Sequence, residues 1–145
     1  MVVGLNHITF SVRDIEESFA FYTQLLGCEP VAKWPTGAYV LAGDLWLALV
    51  QEDDTRAAPL PEYSHIAFTV TKASFPKLVE RLKAAGVQSW QKNWTEGDSF
   101  YFLDPNHHKL ELHSTDLATR IESAKASPWE SLEIYSESVK RSATS

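Results

Sequence analysis

The chain has 145 residues, 44% of them apolar and 22% charged, a length that suits one compact core. Thirteen Lys and Arg against nineteen Asp and Glu leave a formal charge of −6, which argues against a nucleic-acid backbone or an anionic membrane as the partner. The single cysteine, Cys28, excludes an intrachain disulfide framework and any Cys-rich zinc site and suits a reducing, cytoplasmic compartment; the longest apolar run, Leu45 to Val50, is far below the ~20 residues that span a bilayer.

His7-Ile8-Thr9-Phe10-Ser11-Val12 alternates in polarity and predicts a strand. Residues 14–26 have helical spacing, with Ile15, Phe19, Tyr22 and Leu26 in one stripe, Asp14 as N-cap and Gly27 as the left-handed residue beyond the end. Strands are expected at 29–34, 37–42 and 45–51, joined by turns at Pro35-Thr36-Gly37 and Ala42-Gly43-Asp44. Residues 52–62, polar and carrying Pro59 and Pro61, read as a linker. The pattern then begins again, because His65-Ile66-Ala67-Phe68-Thr69-Val70 repeats the first strand with His, Ile, Phe and Val in register. A helix over 72–85 closed by Gly86 and strands over 87–93, 99–104 and 109–113 complete the second copy. Residues 115–125 predict a terminal helix, and the Ser-rich 136–145 a frayed tail. The expected class is α+β: two βαβββ modules, 1–51 and 63–113, forming curved mixed sheets in one domain of 1–135.

Only five histidines are available, and two of them, His7 and His65, occupy the same place in the repeat. Strand alternation puts His7 with Thr9 and Ser11, and His65 with Ala67 and Thr69, on the polar faces of their strands, while Glu111 points away from Leu110 and Leu112. Two imidazoles and a carboxylate suit a divalent transition metal with open positions, with zinc, manganese and iron(II) all compatible. Taken singly, these residues read more readily as core hydrogen-bonding groups and a surface charge; it is the internal symmetry that favours the metal. His113 shares the Glu111 face as a substitute ligand, whereas His107 and His108 fall in a turn and are expected to be solvated. Thr95-Glu96-Gly97-Asp98-Ser99 gathers hard oxygen donors suited to a hard cation, or forms an ordinary polar hairpin turn.

With these residues and the doubled module, the chain resembles the vicinal oxygen chelate superfamily, and within it the FosA-type fosfomycin resistance proteins, which are metal-dependent glutathione transferases. The matching stretches are Gly4-Leu5-Asn6-His7, Ala20-Phe21-Tyr22, Gly37-Ala38-Tyr39, Leu45-Trp46-Leu47, Tyr63-Ser64-His65 and, most specifically, Glu96 through Pro105. The resemblance implies that His7, His65 and Glu111 bind manganese(II), with zinc or iron(II) as substitutes, and that the metal chelates fosfomycin. It implies that Thr9 assists protonation of the epoxide oxygen, that Tyr39 lies by the glutathione thiol, that Trp46 and Tyr63 line the pocket, and that Ser99, Tyr101 and Arg120 hold the phosphonate. It assigns Thr95, Glu96, Gly97 and Ser99 to an activating potassium ion, and it implies a module-swapped C2 homodimer in which His7 of one chain meets His65 and Glu111 of the other.

Several positions depart from the family's pattern: Gln91 stands where lysine is usual, with Lys92 turned to the opposite face; Trp94 replaces a basic residue, Thr95 a serine, Asn106-His107 an Asp-Gly turn, and Trp129 a tyrosine. The alternatives are an epoxide hydrolase, an extradiol-type dioxygenase and a non-enzymatic drug-binding protein of the same fold. Ala48, at the repeat position of Glu111, speaks against hydrolysis; no further histidine is placed as an acid-base partner for ring cleavage; and a simple binder needs no metal triad.

Overall fold

The alternation in the first strand translates directly into burial: in β1 (His7–Val12), Phe10 and Val12 are buried while His7 and Thr9 face outward. The structure, a computed structural model, describes residues 1–93, 97–136 and 139–141. With β2 (Glu29–Trp34), β3 (Gly37–Ala42) and β4 (Leu45–Gln51), β1 forms a sheet of order β1-β4-β3-β2. The strands β5 (Ile66–Thr69), β6 (Ser89–Gln91), β7 (Ser99–Leu103) and β8 (Lys109–His113) repeat that order as β5-β8-β7-β6. In both sheets the first strand runs parallel to the last and the other neighbours are antiparallel. The registers correspond: Thr9 lies beside Ala48 and Ala48 beside Tyr39, as Ala67 lies beside Glu111 and Glu111 beside Tyr101. This is the α+β arrangement of two mixed sheets expected from the repeat.

Asp14 caps α1 (Ile15–Ala20), its Oδ1 accepting from the N–H groups of Glu16 at 2.9 Å and Glu17 at 3.3 Å. The helix does not continue as the single α-helix expected; it widens into a π-helical turn over Phe21–Leu25 and closes at Gly27, whose φ of 77° costs glycine little. The wider turn buries the adjacent Phe21 and Tyr22 together with Ile15 and Ser18, while Phe19 and Leu26 of the expected stripe are partly buried against the same core and Phe19 also lies under the Lys33 ammonium. The second helix, α2 (Phe75–Ala84), starts later than expected because Thr71 Oγ1 accepts the Ser74 N–H in a preceding turn and Pro76 occupies the first helical turn, where no donor is needed. A third helix, α3 (Leu117–Ala126), is capped by Asp116.

One apolar core joins the modules, with Phe10, Tyr22, Leu47 and Leu49 from the first and Leu82, Phe102, Leu110 and Leu112 from the second. The β7–β8 turn clamps the seam. Tyr22 donates its hydroxyl to Asp104 at 2.6 Å, Asn106 donates to Ser18 Oγ at 2.8 Å and accepts from the Arg13 N–H at 2.9 Å, and His108 Nε2 reaches the Ser11 carbonyl at 2.8 Å. His108 is therefore not solvated as expected: it is 6% exposed and stacks on Phe10. Its neighbour His107 is half-buried and takes φ 65°, the left-handed position that glycine would fill in an Asp-Gly turn. Among the described residues no helix is long and apolar enough to cross a membrane.

Candidate metal centre

Glu111 sits mid-strand in β8, between β5 and β7, and is 6% exposed, which a surface charge would not be. Its Oε1 lies 3.0 Å from His65 Nε2. Its Oε2 accepts the Ser99 hydroxyl at 2.9 Å and lies 3.1 Å from His113 Nδ1. The other nitrogen of His65, Nδ1, is 2.9 Å from the Tyr63 carbonyl oxygen, which can only accept; Nδ1 therefore carries the hydrogen and Nε2 of the neutral ring presents a lone pair. A lone pair and a carboxylate oxygen at that distance are bridged by a cation, either a proton on Nε2 or a metal ion. Two ligands at about 2.1 Å from an ion and roughly at right angles are about 3 Å apart, so the pair fits adjacent positions around a divalent metal. The carbonyl-anchored Nδ1 is the usual support for such a ligand.

His7 shows the same preparation. Its Nδ1 lies 2.6 Å from Asn6 Oδ1, which leaves Nε2 as the lone-pair nitrogen, and its ring packs on Trp46 at 4.5 Å. His7 is exposed, however, and among the described residues no three His, Cys, Asp or Glu side chains gather to hold a metal. Within one chain the structure thus pairs His65 with Glu111 and leaves His7 apart. His113 is poorly suited to the substitute role: Nδ1 is 2.6 Å from Ser99 Oγ and Nε2 is 2.6 Å from Thr115 Oγ1, so both nitrogens are engaged.

A cavity of about 390 Å³ opens over Glu111, lined by Tyr63, His65, Tyr101, His113 and Arg120. Tyr101 is buried, Tyr63 exposed, and Gln91 donates to the Tyr63 hydroxyl at 3.2 Å, so the neutral amide stands at the rim on the Tyr101 side. On the first module Thr9 is exposed, and Tyr39 sits edge-on between Trp34 and Trp46. The Trp46 Nε1 hydrogen is buried without a partner among the described residues. Thr95 and Glu96 of the expected cation loop, like Trp94, lie outside the described residues; Gly97, at φ 79°, accepts from Asn93 at 3.0 Å and leaves no room for a Cβ beside Thr115. Sequence reasoning missed the supports Asn6, Thr115 and the Tyr63 carbonyl; the first adjoins His7 in sequence and was legible, whereas the others depend on loop geometry. The lone thiol is no competitor for chemistry, since burial pushes Cys28 up to about 11 and keeps it protonated.

Two repeated modules, each presenting a histidine held through Nδ1 and one adding a buried carboxylate, define a two-module fold whose donor set suits a divalent metal. The sequence matches the Glyoxalase/Bleomycin resistance protein/Dioxygenase superfamily over residues 4–112, and the chain belongs to it. It is 45% identical over 131 residues to the glutathione transferase FosA of Serratia marcescens, covering 89% of this chain and 93% of the relative. It is 37% identical over 125 residues to the metallothiol transferase FosB of Lysinibacillus sphaericus, covering 83% and 89%. Among solved structures it is similar to a mutant of the fosfomycin resistance protein FosX of Listeria monocytogenes complexed with Mn(II) and 1S,2S-dihydroxypropylphosphonic acid (TM-score 0.74, 29% identity, 84% of this chain and 99% of that one). FosX of Mesorhizobium loti is likewise similar (TM-score 0.70, 33% identity, 83% and 99%). Within the superfamily, the chain is a member of the fosfomycin resistance enzyme family.

Proposed function

We propose that this chain is a manganese-dependent transferase that opens the epoxide of fosfomycin with the thiolate of glutathione and so confers resistance in the cytoplasm. The observation that carries the reading is the buried His65–Glu111 pair, with its hydrogen-bonding pattern set for a cation, in a chain 45% identical to a glutathione transferase. His65 and Glu111 of one chain and His7 of a second would hold the metal. When bound, manganese supplies Lewis acidity to the epoxide oxygen. The glutathione sulfur attacks an epoxide carbon, the carbon–oxygen bond breaks, and Thr9 assists protonation of the released oxygen. Tyr39 favours the thiolate, Trp46 and Tyr63 wall the pocket, and Arg120 and Tyr101 hold the phosphonate. Ser99, whose hydroxyl hydrogen goes to Glu111, steadies that carboxylate as well as bordering the phosphonate. The loop containing Thr95, Glu96, Gly97 and Ser99 would hold potassium, which would supply positive charge toward an anionic substrate.

The same reading makes the active unit a module-swapped C2 homodimer. In one chain β2 is exposed along its whole length, and Trp34, Tyr39 and Val50 on the strands and Tyr63 just before β5 remain open around the two half-sites, a face suited to cover by a second copy. A hydrolase is disfavoured because Ala48, beside Thr9, offers no carboxylate to activate water. The test is mass spectrometry of fosfomycin incubated with the protein and Mn(II), together with glutathione, bacillithiol, cysteine or no thiol. A glutathione adduct is expected. A diol formed without thiol, or adducts with bacillithiol alone, would overturn the assignment.

A further inference from the structure

Between the first module and the second lies another groove, about 410 Å³, bordered by Thr9, Ser11, Arg56, Ser64, His65 and Lys109. Its most unusual feature is Arg56. The residue is half-buried, and among the described residues its guanidinium has no hydrogen-bond or ionic partner, although the chain carries six more acidic than basic side chains. A partly dehydrated cation without an anion is a costly arrangement that an anionic ligand would relieve. The backbone that presents it is well fixed. Arg13 donates to the carbonyl oxygens of Thr55 at 3.1 Å and Arg56 at 3.0 Å, and the buried Thr55 hydroxyl pairs with Ser11 Oγ and donates to the Glu52 carbonyl. Lys109 adds a second cation, anchored by a 2.7 Å bond to the Glu62 carbonyl and lying over Trp90. The Glu62 carboxylate borders the groove without an ion pair to either cation; it accepts from Ser64 at 3.3 Å. His65 lines both this groove and the Glu111 cavity and is the side chain they share.

We infer that this groove is an oxyanion subsite in which the Arg56 guanidinium, assisted by Lys109, receives a carboxylate of the thiol co-substrate, while the thiol end lies toward the metal cavity. The inference rests on the thiol transferase reading. Guanidinium is the side chain best matched to a carboxylate, and a tripeptide thiol carries its carboxylates at a distance from its sulfur.

Steady-state rates with Mn(II) and fosfomycin should be measured for the wild-type protein, Arg56→Ala and Arg56→Lys, using glutathione, glutathione diethyl ester and 2-mercaptoethanol as thiols. Loss of one charge-assisted contact predicts about a tenfold rise in KM for glutathione in Arg56→Ala with kcat retained, partial recovery in Arg56→Lys, and no such difference between the proteins for the ester or 2-mercaptoethanol. A KM for glutathione that is the same in Arg56→Ala and the wild type, or one that rises equally for all three thiols, overturns the subsite while leaving the transferase reading intact. A wild-type protein that forms no adduct with any thiol overturns the transferase reading, and the subsite with it.

Discussion

The two modules share strand order, register and a leading histidine, yet they have been put to different uses. In the second, the position beside Ala67 and Tyr101 is Glu111, held by Ser99 and adjoined by His65 and His113, nearly closed to solvent. In the first, the corresponding position is Ala48, and the face around it is aromatic and open, with His7, Trp46, Tyr39 and Trp34 packed in a row. Duplication of one supersecondary unit has thus produced one half-site rich in prepared polar groups and one that offers a single ligand and walls. Neither half suffices for a three-ligand metal site.

The sharpest way to break this asymmetry is to remove the carboxylate. Glu111→Ala should weaken metal binding more than ~100-fold, read as metal content after dialysis, whereas Ala48→Ser should leave it unchanged. Equal effects would mean that the modules are not specialised. Alkaline stability should expose a second difference, since the buried thiol and phenol with strongly raised pKa values both lie in the first module. Cys28 stays protonated in the folded chain up to about 11, while the unfolded chain ionises near 9.0. The unfolded state therefore loses its proton first, so stability is intact below pH 9 and declines as the pH rises toward 11, by about 2–3 kcal/mol from this group. Tyr22, raised by burial and then by Asp104, adds a loss of the same sign above pH 10. Urea titrations of the wild type and Cys28→Ala across pH 8–11 check this; a flat profile in both would contradict it.

Smaller effects probe the supports. Tyr22→Phe removes the hydroxyl that ties the first module to Asp104 of the second and should cost about 2 kcal/mol in urea unfolding, with metal binding retained. Ser99→Ala leaves Glu111 in place without its hydroxyl donor and should reduce metal affinity by roughly tenfold with little change in unfolding midpoint.

The sheets were legible in the sequence because period-two alternation and turn residues at 35–37 and 42–44 leave few options for β1 through β4. The polar faces of His7, His65 and Glu111 followed from the same alternation, as did the shared face of His113 and Glu111, whereas the Ser99 hydroxyl on Glu111 is seen only in the structure. What escaped was set by contacts between residues distant in sequence. The π-helical turn at Phe21–Leu25 answers the need to bury Phe21 and Tyr22 against the second module, and His108 is drawn inward by the Ser11 carbonyl and the Phe10 ring, neither of which its local sequence announces. The separation of His7 from His65 and Glu111 within one chain did not follow from any strand pattern; it was expected only through the family resemblance, as a site shared between two chains.

That separation gives the most direct test of a metal centre divided between two chains. His7→Ala and Glu111→Ala chains, each inactive alone, should be unfolded together in equal amounts, refolded with Mn(II) and assayed with fosfomycin and glutathione. Random pairing makes about half of the dimers mixed, each with one intact site of two, so about a quarter of wild-type activity should return. If all three ligands belonged to a single chain, every site in the mixture would carry a lesion and no activity would return.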